Sequence, residues 1–522
     1  MAAKQSAAAG RLAVPERLRL ACGVLPEPHL LFGGGHRHID PKTGLALYGP
    51  YSLADQADPT INVVRIGIVS TGPLVTELRS WIAACRRQVT NDGSQPFLHP
   101  PFPGMDPDGA MRCELVTSRA WEETIADKAL RLALGNGDYY QRLGAVMVLF
   151  RDGVRNLAER QPRPDVVVCV IPNDVLELCT VQPTSEGGVR RLRLTKGERA
   201  HRARLDAGQQ TLFDVAFGDE DEEDDAPGHR DLRRALKAET MAFGIPIQLV
   251  RESTLRPGGG LGRRVQDPAT RAWNICVGMY YKAGGQPWRL ADLHADTCYV
   301  GVEFFWEHGA AAQVRTSLAQ IFSHRSDGLV LRGQPFEWDQ PGRSPHLAKD
   351  QARQLLADVL AVYQRHAKRA PLRVVVHKSS RYWDEELQGF AQALQGIPEV
   401  DLVAFGKRGL QLLRHGTYPP LRGTWVRFAD DDFLIYTKGY VPFLRSYPGP
   451  RAPQPLELLE HHGDTPAEVL LAETLGLSKL NWNTTDFSCD EPMTLAFADR
   501  VGEILAELPP GVQPQPDYRY YM

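Results

Sequence analysis

Apolar and polar positions divide the chain into three successive α/β stretches. In the first, 26–160, Val63–Ser70 (VVRIGIVS) has the continuous apolar run of a buried strand, and Thr71-Gly72-Pro73 opens a helical stretch through Arg87. Periodicity near 3.6 predicts further helices over Ser118–Leu134 and Tyr140–Glu159. The Gly-rich Phe32–His38 matches neither a P-loop nor a dinucleotide fingerprint and reads as a turn. In the second stretch, 161–290, Val166–Pro172 (VVVCVIP) reads as a central strand. Asp231–Phe243 follows as a helix stopped by Gly244, Pro246–Val250 as a strand, and Arg271–Lys282 as a helix closed by Ala283-Gly284-Gly285. Strand, helix, strand in that order predicts a Rossmann-like, doubly wound sheet.

The third stretch, 291–522, is the most legible. Thr297–Trp306, Ala311–His324 and Gly328–Arg332 read as strands. An amphipathic helix over Pro345–Arg369 presents Leu355, Leu356, Val359, Leu360 and Tyr363 on one side. Leu372–His377 is then a strand, Asp384–Leu394 a helix and Val400–Phe405 a strand. The order βββαβαβ is that of the ribonuclease-H fold. Farther on, Thr465-Pro466-Ala467-Glu468 has the form of a capping box, which makes His461 and His462 the lead-in to a helix.

Composition adds three points. The Ala-rich start lacks the apolar segment of a signal peptide, so residues 1–25 are expected to be disordered. No run approaches the roughly 18 apolar residues of a membrane span. The eight cysteines are scattered without a CxxC pair, as expected of reduced thiols in the cytoplasm. Net charge is −3, which is unusual for a nucleic-acid binder. Much of the negative charge is local: Gly218–Asp225 (GDEDEEDD), within an expected acidic loop at 218–228, leaves a mildly basic remainder with clusters at Arg190–Arg202 and Arg251–Arg271.

The candidate chemistry lies in the second stretch. Arg233 and Lys237 are four apart on one helix and share a face. Gln248 stands on the next strand, and Lys282 at the end of the next helix, within Asn274–Gly285 (NICVGMYYKAGG). Cations and an amide converging at helix ends would suit a terminal phosphate. By spacing alone, Arg233 and Lys237 fit a solvated surface helix better.

The segment Asp231–Val250 followed by NICVGMYYKAGGQPW resembles the MID domain of Argonaute proteins. In that family these places hold the guide's 5′ phosphate, and they match Arg233, Lys237, Gln248 and Lys282. Gly278 stands where many relatives carry a further lysine. The resemblance therefore implies Mg²⁺ bridging the phosphate, with Gln248 and the C-terminal carboxylate of Met522 as ligands, and the tail Tyr518–Met522 tucked into the pocket. The runs PWRLADLHADTCYVGVEFF, VVVHKSSRYWDEELQGF, PLRGTWVRF and KLNWNTTDF resemble the PIWI domain of short prokaryotic Argonautes, in the right order. The likeness covers roughly 26–522 and implies a Rossmann-like MID domain (161–290) followed by a ribonuclease-H-like PIWI domain (291–522).

Argonaute slicing uses two divalent ions clamped by carboxylates. Here Glu303 stands at the first aspartate's place, and His377-Lys378 at the second. Asp499 lies near a fourth, so the catalytic set is degenerate and no slicing is expected. Lys378, Arg381, Arg422 and Lys438 are candidate contacts to a nucleic-acid backbone. The resemblance implies a guide-binding subunit in immunity against invading DNA. It would hold an RNA guide (or a DNA one), pair it with a single-stranded DNA target, and switch on a partner in which an APAZ region is joined to a TIR, sirtuin-like or nuclease effector. Two rival readings are a nuclease using its own PIWI site and a Rossmann-type small-molecule or nucleotide-binding enzyme.

Overall fold

A computed structural model describes residues 20–53, 61–91, 95–179, 182–183, 189–190, 231–256, 266–294, 296–306, 313–322, 328–337, 345–407, 410–414, 419–428, 432–449, 451–509 and 511–522. The acidic loop at 218–228 and most of the two basic clusters lie outside these residues.

The first described element, β1 (Ala21–Val24), pairs antiparallel with a strand formed much later, Thr424–Arg427. The expectation of disorder through residue 25 therefore fails at Ala21–Val24, because a partner distant in sequence supplies the hydrogen bonds. Next come β2 (Val63–Thr71), α1 (Gly72–Ala84), β3 (Glu114–Ile125), α2 (Tyr139–Ala158), β4 (Val166–Ile171), α3 (Leu232–Thr240), β5 (Ile247–Arg251) and α4 (Pro268–Lys282). The four strands form one parallel sheet in the order β3-β2-β4-β5. Every residue of β4 is buried, as expected of a strand covered on both faces. The division at 160/161 thus falls between strands of a single sheet, since β2 pairs directly with β4.

The helix expected over Ser118–Leu134 is instead β3 followed by a separate helix, Asp127–Leu134. Ser118–Thr124 is half-exposed along an edge strand, where apolar residues are too sparse to mark the period.

The second sheet is mixed. It is built from β6 (Thr297–Trp306), β7 (Gln313–Phe322) and β8 (Gly328–Arg332), then α5 (Lys349–Ala367), β9 (Arg373–Lys378), α6 (Asp384–Ala393) and β10 (Glu399–Lys407). The expected order βββαβαβ is present. Strands β11 (Thr424–Arg427), β12 (Phe433–Ile435) and β13 (Leu456–His462) extend the sheet to the order β1-β11-β12-β13-β10-β9-β6-β7-β8. Helices α5 and α6 cover one face through Leu355, Leu356, Val359 and Phe390. The opposite face carries α8 (Met493–Ala506), which follows α7 (Ala467–Leu477). Gly301 permits that close approach, because a Cβ there would run into the Thr494 carbonyl.

Two local expectations are corrected. Pro466, not Thr465, is the N-cap of α7 and makes no side-chain cap. The Thr465 hydroxyl donates instead to Asp401 at 2.8 Å. His461 and His462 are the last residues of β13, and His461 Nε2 lies 2.9 Å from Asp401 Oδ1. A buried carboxylate that also takes 2.8 Å bonds from Arg373 outcompetes the local cap for the hydroxyl.

Candidate nucleic-acid interface

Helix α3 begins at Asp231, whose carboxylate accepts from the Arg233 and Arg234 amides at 2.9 and 3.0 Å. Capped in this way, the helix brings Arg233 within reach of Lys282 at the end of α4. Lys237 is 4% exposed, and its ammonium donates to the Tyr521 carbonyl at 3.1 Å. Gln248, on β5, accepts a short hydrogen bond from Lys282 Nζ. Lys282 is 1% exposed, and its ammonium is pulled from the usual 10.5 to about 7, first by burial and then by Arg233. Arg233, Gln248 and Lys282 thus stand together, with Lys237 one turn along α3 and held by the tail, and the interactions weighing on Lys282 disfavour its charge.

The far end of the chain closes this site. Tyr518 stacks on Phe497 with centroids 3.5 Å apart, the Tyr520 hydroxyl donates to the Gly244 carbonyl at 3.2 Å, and Met522 is 3% exposed. Asn274, one turn before Gly278, accepts from Thr485 at its amide and hydroxyl, both at 2.9 Å. That anchor sets Asn483 beside α4. A Cβ on Gly278 would lie 3.5 Å from the Asn483 carbonyl, 3.8 Å from Gln248 Oε1 and 3.9 Å from Asn483 Oδ1. Asn483, within the run KLNWNTTDF, was not among the residues selected from the sequence. Only the fold brings it to Gly278.

The second candidate region centres on Glu303 of β6. Its carboxylate accepts from the Ser379 hydroxyl at 2.8 Å. Its carboxyl is raised to about 8, first by burial and also by Asp499 and Glu491, against the lowering effects of the Ser379 bond and of Lys378. Asp499 is an exposed residue of α8, and Glu491 sits just before that helix. Neither Ser379 nor Glu491 was selected from the sequence.

Lys378 was expected beside Glu303, as the charge that repels a metal ion and as a backbone contact. The Lys378 charge does act on Glu303, but the residue is buried and so is no surface contact to a backbone. Register pairs Lys378 with Val302, and neighbouring residues of a strand face opposite ways, so Lys378 enters the core under α5 and α6. There it is 1% exposed, paired with the fully buried Glu386 at 2.6 and 2.8 Å, and set 5.3 Å from the Phe304 ring centre. The residue of β9 on Glu303's side is His377. Its ring lies 2.7 Å from the Thr494 hydroxyl, and burial lowers its pKa to about 3, which keeps it neutral.

Arg422 is likewise no surface contact. It is 4% exposed and holds Glu27 at 3.0 Å and the Leu475 carbonyl at 2.8 Å. Lys438 is paired with Asp490 at 3.0 Å. Of the four backbone candidates, Arg381 is exposed. Among the described residues, no three His, Cys, Asp or Glu side chains are grouped to hold a metal ion, and no helix is long and apolar enough to cross a membrane.

No family model matches the chain. It is 26% identical over 282 residues to the argonaute protein of Thermus thermophilus, a match covering 52% of this chain and 36% of that protein. It is 18% identical over 292 residues to that of Aquifex aeolicus, covering 55% and 38%. Among solved structures, Clostridium butyricum Argonaute bound to a guide DNA and a 19-mer target DNA superposes with a TM-score of 0.60 at 15% identity, covering 94% of this chain and 54% of that one. Aquifex aeolicus Argonaute gives 0.55 at 14%, covering 97% and 56%. Drosophila Piwi gives 0.54 at 12%, covering 96% and 56%. The chain spans about half the length of these solved relatives. Sequence and fold therefore agree on homology to Argonaute proteins, with an Argonaute-like α/β fold built on these two sheets.

Proposed function

We propose that this chain is the guide-binding subunit of a short Argonaute system, with the first sheet and its helices acting as a MID domain and the second as a PIWI domain. The observation that carries this reading is Lys282. A buried ammonium, pressed by Arg233 and held by Gln248, gains most when a dianion arrives. A 5′ phosphate supplies that charge, and Arg233, Lys237 and Gln248 are placed to receive its oxygens. The argonaute relatives, one of them solved with guide and target DNA, support a nucleic-acid strand as the ligand. Pairing between guide and a single-stranded DNA target then supplies sequence specificity, while the protein holds backbone and end.

Mg²⁺ fits beside this pocket. The carbonyl and side-chain oxygens of Asn483 and Gln248 Oε1 surround Gly278, and oxygen donors are what Mg²⁺ takes. Met522 ends a tail whose preceding carbonyl already meets Lys237, so its carboxylate is the remaining ligand in this reading. When bound, the ion would offset phosphate charge in place of a second lysine.

The chain itself does not cut, in this proposal. Support comes from Glu303, whose carboxyl is raised to about 8 and tied to Ser379, and from neutral His377 where a second carboxylate would be needed. Target pairing instead activates an effector on a separate APAZ-bearing partner in the cytoplasm, an NADase or a nuclease. The nearness of Asp499 and Glu491 to Glu303 favours one rival, a nuclease using this site. Incubating guide, target and Mg²⁺ or Mn²⁺ with wild type and Glu303→Ala separates them, since cleavage lost in the variant would establish the rival. The test of the main reading is the strand that co-purifies. Short 5′-phosphorylated strands should accompany the wild type and be absent from Lys237→Ala/Lys282→Ala. Their absence from both, with the partner present, refutes it.

A further inference from the structure

Helix α4 carries a buried cation at each end. Lys282 closes it, and Arg271 stands in its first turn, 5% exposed. At about 1.5 Å of rise per residue the two lie roughly 16 Å apart along the axis, so they belong to separate places.

Helical side chains lean toward the N-terminus, and Arg271 does so. Its Nη1 donates to the carbonyl of Thr254, in the short helix Glu252–Leu255 that follows β5. Among the described residues, the Arg271 Nε has no hydrogen-bond partner, and neither has the Thr254 hydroxyl, although Thr254 is 1% exposed. The start of α4 adds a third donor. The first amides of a helix have no partner within it. Pro268 has no N–H, the Asp267 carboxylate accepts from the Thr270 amide at 2.9 Å, and the Asp267 carbonyl accepts from the Arg271 amide at 3.1 Å. That leaves the amide of Ala269, a residue with no exposed surface.

The charges point the same way. Burial pulls the Arg271 guanidinium below its ordinary range, and the charge of Asp267 opposes this. The Asp267 oxygens are engaged elsewhere, one by the Thr270 amide and the other 3.3 Å from His99 Nδ1. The helix dipole adds partial positive charge at this end. A buried cation is costly unless a counter-charge meets it with hydrogen bonds. A trapped water would satisfy the donors and leave the charge as it was. The enclosure of all three groups excludes a nucleotide or a peptide.

We propose that the first turn of α4 binds a small monovalent anion, chloride or one of similar size, held by Arg271 Nε, the Thr254 hydroxyl and the Ala269 amide. Such an ion ties the segment after β5 to the helix that carries Lys282 at its other end. The site stands apart from the phosphate pocket and does not depend on that reading.

The experiment is thermal melting of the full chain at fixed ionic strength, with chloride replacing gluconate, an anion too large to enter. The wild-type midpoint should rise with the logarithm of chloride concentration, as binding to the folded state alone requires. Thr254→Val keeps the side chain's shape without the hydroxyl, and should weaken the apparent chloride affinity about tenfold or more, the loss of one charge-assisted hydrogen bond. Arg271→Met should abolish the dependence. Lys282→Met should retain it, which separates this site from the phosphate pocket. Crystals grown in bromide should show an anomalous-scattering peak beside Arg271 Nε. A wild type indifferent to chloride overturns the proposal, as does density beside Nε without anomalous signal, which is a water. A dependence that survives Arg271→Met, or that Lys282→Met removes, overturns it equally.

Discussion

Lys282→Met should make the ligand-free protein more stable while abolishing its preference for a 5′ phosphate. Lys282 is 1% exposed and drops from 10.5 to about 7 on folding. At about 1.36 kcal/mol per pH unit, that fall corresponds at neutral pH to a penalty with an upper limit of roughly 4–5 kcal/mol. Removing the ammonium lifts the penalty but leaves Gln248 Oε1 without its donor, which returns about 1–3 kcal/mol. The net gain is at most on the order of 1–4 kcal/mol at pH 7. The unfolded chain holds the Lys282 proton up to 10.5 and the folded chain only to about 7. Wild-type stability should therefore rise with pH across that window, and the variant should lack this contribution. A bound phosphate favours the ammonium, so affinity for a 5′-phosphorylated strand should fall by up to about tenfold per pH unit above 7, while a 5′-hydroxyl strand shows no such trend. Urea melts and fluorescence anisotropy between pH 7 and 9 read both effects. A variant less stable than wild type, or one that still prefers a 5′ phosphate, would refute the reasoning.

Other consequences are as direct. Glu386→Gln leaves Lys378 buried without its counter-charge and should cost about 3–5 kcal/mol in chemical denaturation; a loss under about 1 kcal/mol would mean that the pair is not the anchor described. Glu303, raised from 4.5 to about 8, contributes stability that is complete below pH 4.5 and is lost as pH climbs toward 8. Glu303→Gln stays neutral and should flatten the melting-temperature profile over that interval, whereas parallel profiles would count against the raised carboxyl. Gly278→Lys places an ammonium among Gln248 Oε1 and the Asn483 oxygens, so binding of a 5′-phosphorylated strand should no longer weaken when EDTA removes divalent ions; continued EDTA sensitivity would place the ion elsewhere.

The elements that the sequence reveals best are those whose burial is continuous. Val166–Ile171, Cys298–Val302 and Val374–Val376 are buried, largely apolar runs, so their pattern survives without knowledge of neighbours. The edge strand Glu114–Ile125 has polar residues throughout and lost its identity to a helix that starts just after it. Arg233, Lys237, Gln248 and Lys282 were selected because a resemblance fixed their places, and spacing alone left Arg233 and Lys237 as surface cations. Lys378 and Arg422 were misjudged for another reason. A lysine or arginine is read as exposed unless its counter-ion is visible, and here the counter-ions are eight and 395 residues away. Ser379, Glu491 and Asn483 carry no signal of their own and matter only through the side chains that the fold brings to them.

Strand β1 has a consequence for how the chain comes to be made. Its partner residues, Thr424–Arg427, lie about 400 positions later, and Glu27, just beyond it, is held by Arg422 and by Lys479 at 2.8 Å. At roughly 5–20 residues per second, a ribosome needs on the order of 20–80 s to deliver that partner. Throughout that interval the early strand waits unpaired, and the large sheet cannot complete its edge. Closure across so long a loop also slows folding in free solution. Nascent chains arrested before Arg427 should therefore be more protease-sensitive at residues 20–28 than the finished protein, and splitting the two sheets into separate polypeptides would strand Glu27 from both of its cations.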